Sequence, residues 1–122
     1  MSSTRSTQEV FEDHLALRCA GEVELDIQRN YAEDVVLLTL DGIFRGHDGV
    51  RRCCRILKEC LGDAQFTYVV KRVHGDVAYL HWTAQSDEVV VKDAADTFII
   101  RDGKIVTKTI YFRAERCEPK GK

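Results

Sequence analysis

Asp96 is a carboxylate at the start of an apolar strand, and its position suits acid–base chemistry. The segment "DTFIIRDGKI" begins with Asp96, and a period of two places Asp96, Phe98 and Ile100 on one face of the predicted strand. If that face points into a cleft, loss of water raises the pKa of the carboxyl group and lets it donate a hydrogen bond. The alternative is a carboxylate paired with a lysine or arginine at the strand end. We favour the cleft.

Two histidines are candidates for the base that such an acid needs. His14 lies on the apolar stripe of a predicted first helix, and His81 lies in the predicted strand "VAYLHWTAQS". In that strand Tyr79 and His81 share one face, and Leu80 and Trp82 share the other. We predict that His81 faces the cleft opposite the acid and that Trp82 anchors a dimer. Each histidine has the alternative of being an interior side chain with satisfied hydrogen bonds.

The last predicted hairpin decides whether Lys108 reaches the cleft. A two-residue turn pairs Ile100 with Ile105 and leaves Lys108 outside, whereas a three-residue turn with a glycine bulge pairs Ile100 with Lys104 and turns Lys108 inward. We prefer the bulged register because it buries three further side chains, Val106, Ile110 and Phe112. Lys108 would then approach Asp96 and lower its pKa, which weakens the case for a neutral donor.

Length, composition and charge limit the class of protein. The 122 residues are 44% hydrophobic and 31% charged, which fits one globular domain that folds without disulfides or metal. The net charge of -2 gives no broad basic surface, so we do not expect a nucleic acid partner. The first ten residues are polar and no apolar run is long enough to span a bilayer. We therefore predict a cytoplasmic protein without membrane contact.

The cysteines and histidines form no metal-binding or disulfide pattern. The five cysteines are odd in number, no CxxC occurs, and Cys53 is adjacent to Cys54. His74 and His81 lack a convincing third metal ligand. We predict reduced thiols, with a redox-sensitive pair as the alternative, and we predict neither a metal nor a cofactor.

The hydrophobic period changes along the chain from helical to strand-like. It predicts three helices, the first ending at Gly21 and the others in "EVELDIQRNY" and "HDGVRRCCRILKECLG". Two short strands, 35–40 and 43–45, precede the third helix, and four antiparallel strands follow Ala64. Segregated helices and strands indicate an α+β fold. A curved antiparallel sheet with three helices over its concave face leaves a cone-shaped hollow that suits a small molecule.

The domain boundaries follow from the polar ends of the chain. We predict one domain over residues 7–115, a disordered N-terminus at residues 1–6 and a disordered tail at residues 116–122. No internal repeat, low-complexity tract or linker interrupts the domain.

Three strings in this order resemble the nuclear transport factor 2-like superfamily: "AGEVELDIQRNYAEDVVL", "FRGHDGVRR" and "DAADTFIIRDGKI". Within it, the chain is most similar to the SnoaL-like and ketosteroid isomerase-like proteins, over roughly Val10 to Phe112. The resemblance implies a cone-shaped α+β barrel and frequent homodimers. Members include isomerases, cyclases, epoxide hydrolases, dehydratases and pocket proteins without a known reaction, so the fold alone does not give the function.

The site of ketosteroid isomerase matches this chain only in part. That site uses an aspartate base, and a tyrosine and a protonated aspartate donate to the oxyanion. The resemblance places the donor aspartate at Asp96, the donor tyrosine at His14 and the base at Thr39. Threonine has no useful proton affinity near neutral pH, so the isomerase mechanism does not transfer unchanged.

Two functions remain open from the sequence. The first is an enzyme acting on a small hydrophobic molecule by isomerisation, cyclisation or dehydration, with Asp96 as acid and His14 or His81 as base. The residues expected to contact its ligand are Thr39, Tyr79, Phe98, Lys108 and Phe112. The second is a non-catalytic ligand-binding or interaction module, which the missing carboxylate at position 39 favours. In both we expect a homodimer through the outer face of the sheet.

Overall fold

Within residues 4–117, which the computed structural model describes, three helices lie against one seven-stranded sheet. The helices are α1 (Thr7–Cys19), α2 (Val23–Asn30) and α3 (Gly46–Leu61). The strands are β1 (Tyr31–Thr39), β2 (Gly42–Arg45), β3 (Gln65–His74), β4 (Val77–Gln85), β5 (Val89–Arg101), β6 (Lys104–Phe112) and β7 (Glu115–Arg116). The predicted α+β class is confirmed, and the curved sheet is not closed.

The sheet is mixed rather than purely antiparallel. Its strand order is β2-β1-β6-β5-β4-β3, with β7 paired to β5, and β1 runs parallel to β6. Strand β2 runs antiparallel to β1, and after helix α3 the strand β3 runs in the same direction as β2. Strands β3, β4, β5 and β6 are antiparallel in succession, so β6 has the direction opposite to β3 and is parallel to β1. The prediction of an all-antiparallel sheet is therefore wrong at this one pair.

A capping box fixes the start of α1. Ser6 Oγ accepts a hydrogen bond from the Glu9 backbone N–H at 3.1 Å, and Glu9 Oε1 accepts one from the Ser6 backbone N–H at 2.7 Å. The helix then buries one stripe of side chains against the sheet, namely Val10, Phe11, His14 and Leu15. The predicted stripe is confirmed from Val10 to Leu15, whereas Cys19 at its predicted end is exposed.

The domain begins before the predicted boundary at residue 7. The guanidinium group of Arg5 donates to Asn30 Oδ1 at 2.8 Å and to the carbonyl oxygen of Gly103 at 2.9 Å. These bonds tie the N-terminal segment to the end of α2 and to the last hairpin. The prediction of disorder is therefore wrong for Arg5 and Ser6, and residues 1–3 lie outside the described residues.

The domain also extends beyond the predicted boundary at residue 115. Strand β7 pairs with the first residues of β5, and the Cys117 backbone N–H donates to the Glu88 carbonyl oxygen at 2.9 Å. Arg116 and Cys117 therefore belong to the folded domain rather than to the predicted tail. The rest of that tail, residues 118–122, lies outside the described residues.

A β-bulge in β6 turns Lys108 inward. Ile100 pairs with Ile105, so the turn between β5 and β6 has two residues, and the preferred three-residue turn is wrong. Ile99 pairs with Thr107, so one extra residue is inserted in β6 directly after Ile105. Because side chains alternate between faces, this insertion reverses the side of every later residue. The inward position predicted for Lys108 is confirmed, but the cause lies after the turn.

Strand β4 presents the face opposite to the predicted one. Leu80 and Trp82 are buried beneath the helices, whereas Tyr79 is 40% exposed and His81 lies on the outer face. Leu80 pairs with Asp96, which places Trp82 and Asp96 on the same side of the sheet. Burial of large apolar side chains is the stronger driving force, so it sets the register of this strand. The predicted inward positions of His81 and Tyr79 are wrong.

Gly49 lets α3 approach β2 closely. A Cβ atom at Gly49 would lie 2.9 Å from the backbone carbonyl carbon of Phe44, so part of the backbone would have to move. Although alanine favours helices, we expect Gly49→Ala to lower the free energy of unfolding by about 1–3 kcal/mol in urea denaturation. Cys60→Ala, at an exposed position of the same helix, should change it by less than about 0.5 kcal/mol. Equal stability of both variants would contradict this close approach.

Candidate active site

A cavity of about 820 Å³ lies between the helices and the concave face of the sheet. Its lining combines apolar side chains with polar and titratable ones. Helix α1 and strands β1, β3, β5 and β6 provide six of the titratable groups: His14, Arg18, Tyr31, Tyr68, Asp96 and Lys108. Of the predicted site residues, the cavity brings together His14, Thr39, Asp96, Lys108 and Phe112. Phe98 is fully buried in the adjoining core.

His14 is held by a buried carboxylate, Asp26, that the sequence analysis missed. His14 Nδ1 lies 2.8 Å from Asp26 Oδ2, and the two side chains are 3% and 1% exposed. Asn30 Nδ2 donates to Asp26 Oδ1 at 2.9 Å, so both oxygens of the carboxylate are used. A carboxylate only accepts hydrogen bonds, so Nδ1 carries the imidazole proton and Nε2 keeps its lone pair.

The environment of His14 keeps its imidazole neutral. The pKa of His14 is lowered from 6.5 to about 4, chiefly by burial and then by the positive charge of Lys108, while Asp26 acts in the opposite direction. At neutral pH the ring is therefore uncharged. A neutral imidazole oriented by a carboxylate through Nδ1 has the arrangement of a general base.

Asp96 points towards the cavity, as predicted, and its surroundings act on it in opposite directions. Trp82 Nε1 donates to Asp96 Oδ1 at 3.0 Å, and Lys108 Nζ lies 3.9 Å from Oδ2. Burial raises the pKa of Asp96, whereas the charge of Lys108 and the hydrogen bond from Trp82 oppose that rise. The approach of Lys108 that we expected to weaken a neutral donor is thus present.

Lys108 is a buried ammonium group, only 5% exposed. Its Nζ atom donates to Tyr31 Oη at 3.2 Å and lies 5.0 Å from the centre of the Phe98 ring. Burial alone would lower the pKa of Lys108, but Tyr31 and Asp96 outweigh it and the pKa is raised. Lys108 therefore carries a positive charge inside the cavity.

Arg18 brings a second positive charge to the cavity, and it was not among the predicted site residues. It follows His14 by one helical turn, so both side chains lie on the same face of α1. Its Nη1 atom donates to Cys54 Sγ at 3.4 Å. The i, i+4 spacing from His14 is the sequence signal that would have identified Arg18.

A family model described as "SnoaL-like domain" matches residues 11–108 of the chain. The chain belongs to the SnoaL-like family. Its fold is that of the nuclear transport factor 2-like superfamily, to which the family belongs. A comparison with curated proteins found no match.

Several solved structures share the fold of this SnoaL-like domain at low sequence identity. A protein of Kribbella flavida provisionally named a ketosteroid isomerase is 18% identical, with a TM-score of 0.73, over 97% of this chain and 85% of that one. A Mesorhizobium loti protein provisionally named a SnoaL-like polyketide cyclase is 16% identical, with a TM-score of 0.68, over 88% and 99% of the two chains. SalBIII, an epoxide hydrolase/cyclase-like enzyme of pyran ring formation in salinomycin, is 12% identical, with a TM-score of 0.71, over 88% and 90%.

Besides Phe98, two of the predicted site residues lie outside the cavity of this SnoaL-like domain, and Thr39 inside it has its hydroxyl group engaged. His81 Nε2 lies 3.0 Å from Asp93 Oδ1 on the outer face, so its partner is Asp93 and not Asp96. Tyr79 shares that outer face. Thr39 lines the cavity, but its hydroxyl accepts a hydrogen bond from the Asp41 backbone N–H at 2.9 Å in the turn after β1.

The remaining candidate groups show no metal site. Among residues 4–117, no three His, Cys, Asp or Glu side chains are grouped so that they could hold a metal ion. The cysteines are free thiols, and burial raises the pKa of Cys53, which makes its thiolate less available. None of the described helices combines the length and the apolar character needed to cross a membrane.

The low pKa of His14 makes stability depend on pH in mild acid. Between its unfolded value of 6.5 and its folded value of about 4, the unfolded chain binds more protons, so the free energy of unfolding falls as the pH falls. Between pH 7 and 4.5 we expect a loss on the order of 2–3 kcal/mol from this group alone. In urea denaturation at both pH values, His14→Asn, which keeps a donor for Asp26 but does not titrate, should lose less stability than the unmodified chain.

A matched control comes from the outer face of the sheet. His81→Asn makes the same change at a histidine that lies on the outer face, 3.0 Å from Asp93, so it controls for the loss of a histidine elsewhere in the fold. Parallel losses in the unmodified chain and in His14→Asn would contradict a neutral buried imidazole.

Proposed function

We propose that this SnoaL-like domain is an acid–base enzyme that removes a proton from a carbon next to a carbonyl group in a small, largely apolar molecule. The observation that carries the proposal is the His14–Asp26 pair, with Nδ1 held at 2.8 Å and the ring at the cavity wall. A fixed tautomer leaves Nε2 as the basic atom for the cavity. Orientation of this kind by a buried carboxylate is what a general base requires.

The groups around His14 suit the charges that such a reaction creates. When Nε2 takes the proton, the Asp26 carboxylate stabilises the imidazolium that forms. The carbonyl oxygen becomes an enolate oxygen, and the Lys108 ammonium is a fixed positive charge for it. Lys108 Nζ and the His14 ring flank the same Phe98 ring, at 5.0 Å and 5.2 Å from its centre. Base and cation therefore belong to one cluster.

Asp96 supplies the second half of acid–base chemistry. Its raised pKa favours a carboxyl group that can hold a proton and return it to another atom of the substrate. Isomerisation, cyclisation and dehydration each combine such a proton return with an initial abstraction. In this proposal the base is His14 on α1. Position 39 on β1, where the resemblance to ketosteroid isomerase places the base, holds a threonine.

The similar structures support the class of reaction in general terms only. One carries the provisional name of a ketosteroid isomerase and another the name of an epoxide hydrolase/cyclase-like enzyme. At 18% and 12% identity they are evidence of a shared fold. The proposal for this chain therefore rests on the geometry of His14.

The second candidate function is non-catalytic binding of a small molecule. The pKa of about 4 for His14 favours it, because a base works best when its pKa lies near the working pH. The engaged hydroxyl of Thr39 points the same way. A ligand that enters the cavity without exchanging a proton would fit this alternative.

Deuterium exchange separates the two functions without knowledge of the natural substrate. A small apolar ketone such as 2-tetralone, incubated with the protein in D2O, should gain deuterium next to its carbonyl group, as followed by NMR. We expect His14→Asn to lower the exchange rate by about 10²–10⁴-fold, because the base is lost and the contact with Asp26 is kept. The rate should stay level from pH 5 to 8 and fall below about pH 4, where His14 protonates.

His81→Asn is the control for this experiment, since its ring lies on the other side of the sheet. Exchange no faster than in buffer, together with binding of the ketone measured by calorimetry, would favour the non-catalytic function. Equal exchange by the unmodified chain and by His14→Asn would remove His14 from the mechanism.

We propose further that the chain forms a homodimer through the outer face of the sheet. The helices cover the concave face, and the outer face exposes large apolar side chains, among them Leu38, Ile43, Val77, Tyr79 and Tyr111. An apolar face of this kind is typical of a protein interface. Trp82, the predicted anchor, is buried under the helices and bonded to Asp96, so Tyr79 takes that place in the proposal.

Light scattering after size-exclusion chromatography tests the dimer. The unmodified chain should have about twice the monomer mass of 13.9 kDa, and Tyr79→Lys combined with Tyr111→Lys should reduce it to the monomer mass. Leu40→Lys, an exposed position in the turn after β1, should remain dimeric. A monomeric unmodified chain would overturn this proposal.

A further inference from the structure

We propose that Arg18 is a carboxylate anchor inside the cavity, so that the ligand of this protein is a small apolar molecule carrying one carboxylate group. This inference depends on the cavity being a ligand site, as in the proposed function, and it adds the chemical class of the ligand. Four features of the cavity carry it: a guanidinium without a carboxylate partner among the described residues, a second buried cation, interior carboxylates that are bonded to other groups, and an apolar wall.

The first feature is the state of Arg18 itself. Among residues 4–117, seven arginines have no carboxylate within 4 Å, and Arg18 is the one of them that is not exposed. The other six are exposed: Arg45, Arg52, Arg55, Arg72, Arg113 and Arg116. Its side-chain hydrogen bond goes to a neutral thiol, Cys54 Sγ, at 3.4 Å. A guanidinium withdrawn from water without a counter-charge is unfavourable, and its planar set of donors matches a carboxylate.

The second feature is a further buried cation, Lys108. Its hydrogen-bond partner is the Tyr31 hydroxyl, whose pKa is raised by burial, so the hydroxyl stays neutral. Lys108 and Arg18 also repel each other, because the charge of Arg18 acts to lower the pKa of Lys108. An anion between them would be attracted by both.

The third feature is the balance of charge in the interior. Asp96 lies near Lys108, but Trp82 occupies Oδ1, and Lys108 lies 3.9 Å from Oδ2, beyond hydrogen-bond distance. Asp26 is fully used by His14 and Asn30. The interior thus holds two cations and two carboxylates, and neither carboxylate lies within 4 Å of the Arg18 guanidinium.

Six other charged residues line the cavity, three acidic and three basic, and their formal charges balance: Glu24, Asp41, Asp63, Arg51, Arg55 and Lys58. Glu24, which also lines the cavity, accepts a hydrogen bond from Arg51 Nη2 at 2.7 Å, so this pair is satisfied within itself. A carboxylate ligand that reaches Arg18 would therefore meet a guanidinium that no carboxylate in the described part of the chain already neutralises from within 4 Å.

The fourth feature is the apolar wall, which sets the rest of the ligand. Side chains of α3 and the sheet provide it, chiefly Val50, Leu61, Leu80, Trp82 and Phe112. A molecule that places a carboxylate at Arg18 would lay its apolar body along this wall. Because Arg18 is one turn from His14, the reacting carbon would lie near the carboxylate end, and Lys108 would remain available for a carbonyl oxygen.

Two probes of the same shape test this inference: 2-naphthylacetate, which is anionic, and 2-naphthylacetamide, which is neutral. Calorimetry gives both dissociation constants. The protein has one tryptophan, so the NMR signal of the Trp82 indole N–H reports whether a probe enters the cavity. In the unmodified chain we expect the carboxylate to bind about tenfold or more tightly than the amide, with both probes shifting that signal.

Substitution of Arg18 should remove the preference for charge. In Arg18→Gln the carboxylate should bind about tenfold more weakly, and the affinity of the amide should be unchanged. Arg18→Lys, which keeps the charge but not the planar donors, should retain part of the preference. Arg72→Gln, at an exposed position of β3, is the matched control and should behave like the unmodified chain.

The outcomes separate this inference from the proposed function. Equal affinity of the two probes for the unmodified chain, or an unchanged preference in Arg18→Gln, overturns the carboxylate anchor and leaves ligand binding in the cavity intact. Absence of binding by both probes counts against the anchor and against the ligand cavity together. If Arg18→Gln does not fold, the dissociation constants of both probes are measured for the unmodified chain with and without added salt. Salt should weaken binding of the carboxylate and leave binding of the amide unaffected. Equal effects of salt on both probes overturn the anchor.

Discussion

The buried carboxylate of Asp26 is the constraint on which the candidate site depends. A carboxylate without water is stable only when its oxygens are paired, and here His14 from α1 and Asn30 from the end of α2 pair them. Asn30 in turn accepts a hydrogen bond from Arg5, which also bonds to the last hairpin. One buried charge therefore links the N-terminal segment, two helices and β6, and it fixes the tautomer of the proposed base.

The charges of the cavity depend on a second constraint, the single inserted residue in β6. Ile105 before the insertion is buried, and Lys108 and the partly buried Ile110 and Phe112 after it lie on the same concave side. A regular strand would place Thr107 and Thr109 there instead. The apolar residues at both ends of the strand have opposite parity, so only a bulge buries both sets. Their burial stabilises the bulge, and the bulge places an ammonium group in the interior.

The sequence was sufficient for the fold class, for the helical stripe that includes His14 and for the inward position of Asp96, because each follows from local periodicity. It was insufficient for β4, since two alternating faces do not reveal which one the helices cover; the larger apolar side chains, Leu80 and Trp82, decided that.

Asp26 was missed for another reason. A charged residue on a short helix normally faces water, and its burial results from a contact with α1 that no local pattern encodes.

The cations of the cavity also act on the proposed base. Burial is the main cause of the low pKa of His14, and the positive charges of Lys108 and Arg18 lower it further. A bound carboxylate would neutralise part of that positive field and would therefore raise the pKa of His14 towards neutral pH. The base would then become stronger when an anionic substrate is in place and stay weak in its absence. Substrate binding and activation of the base are, in this arrangement, two consequences of one electrostatic interaction.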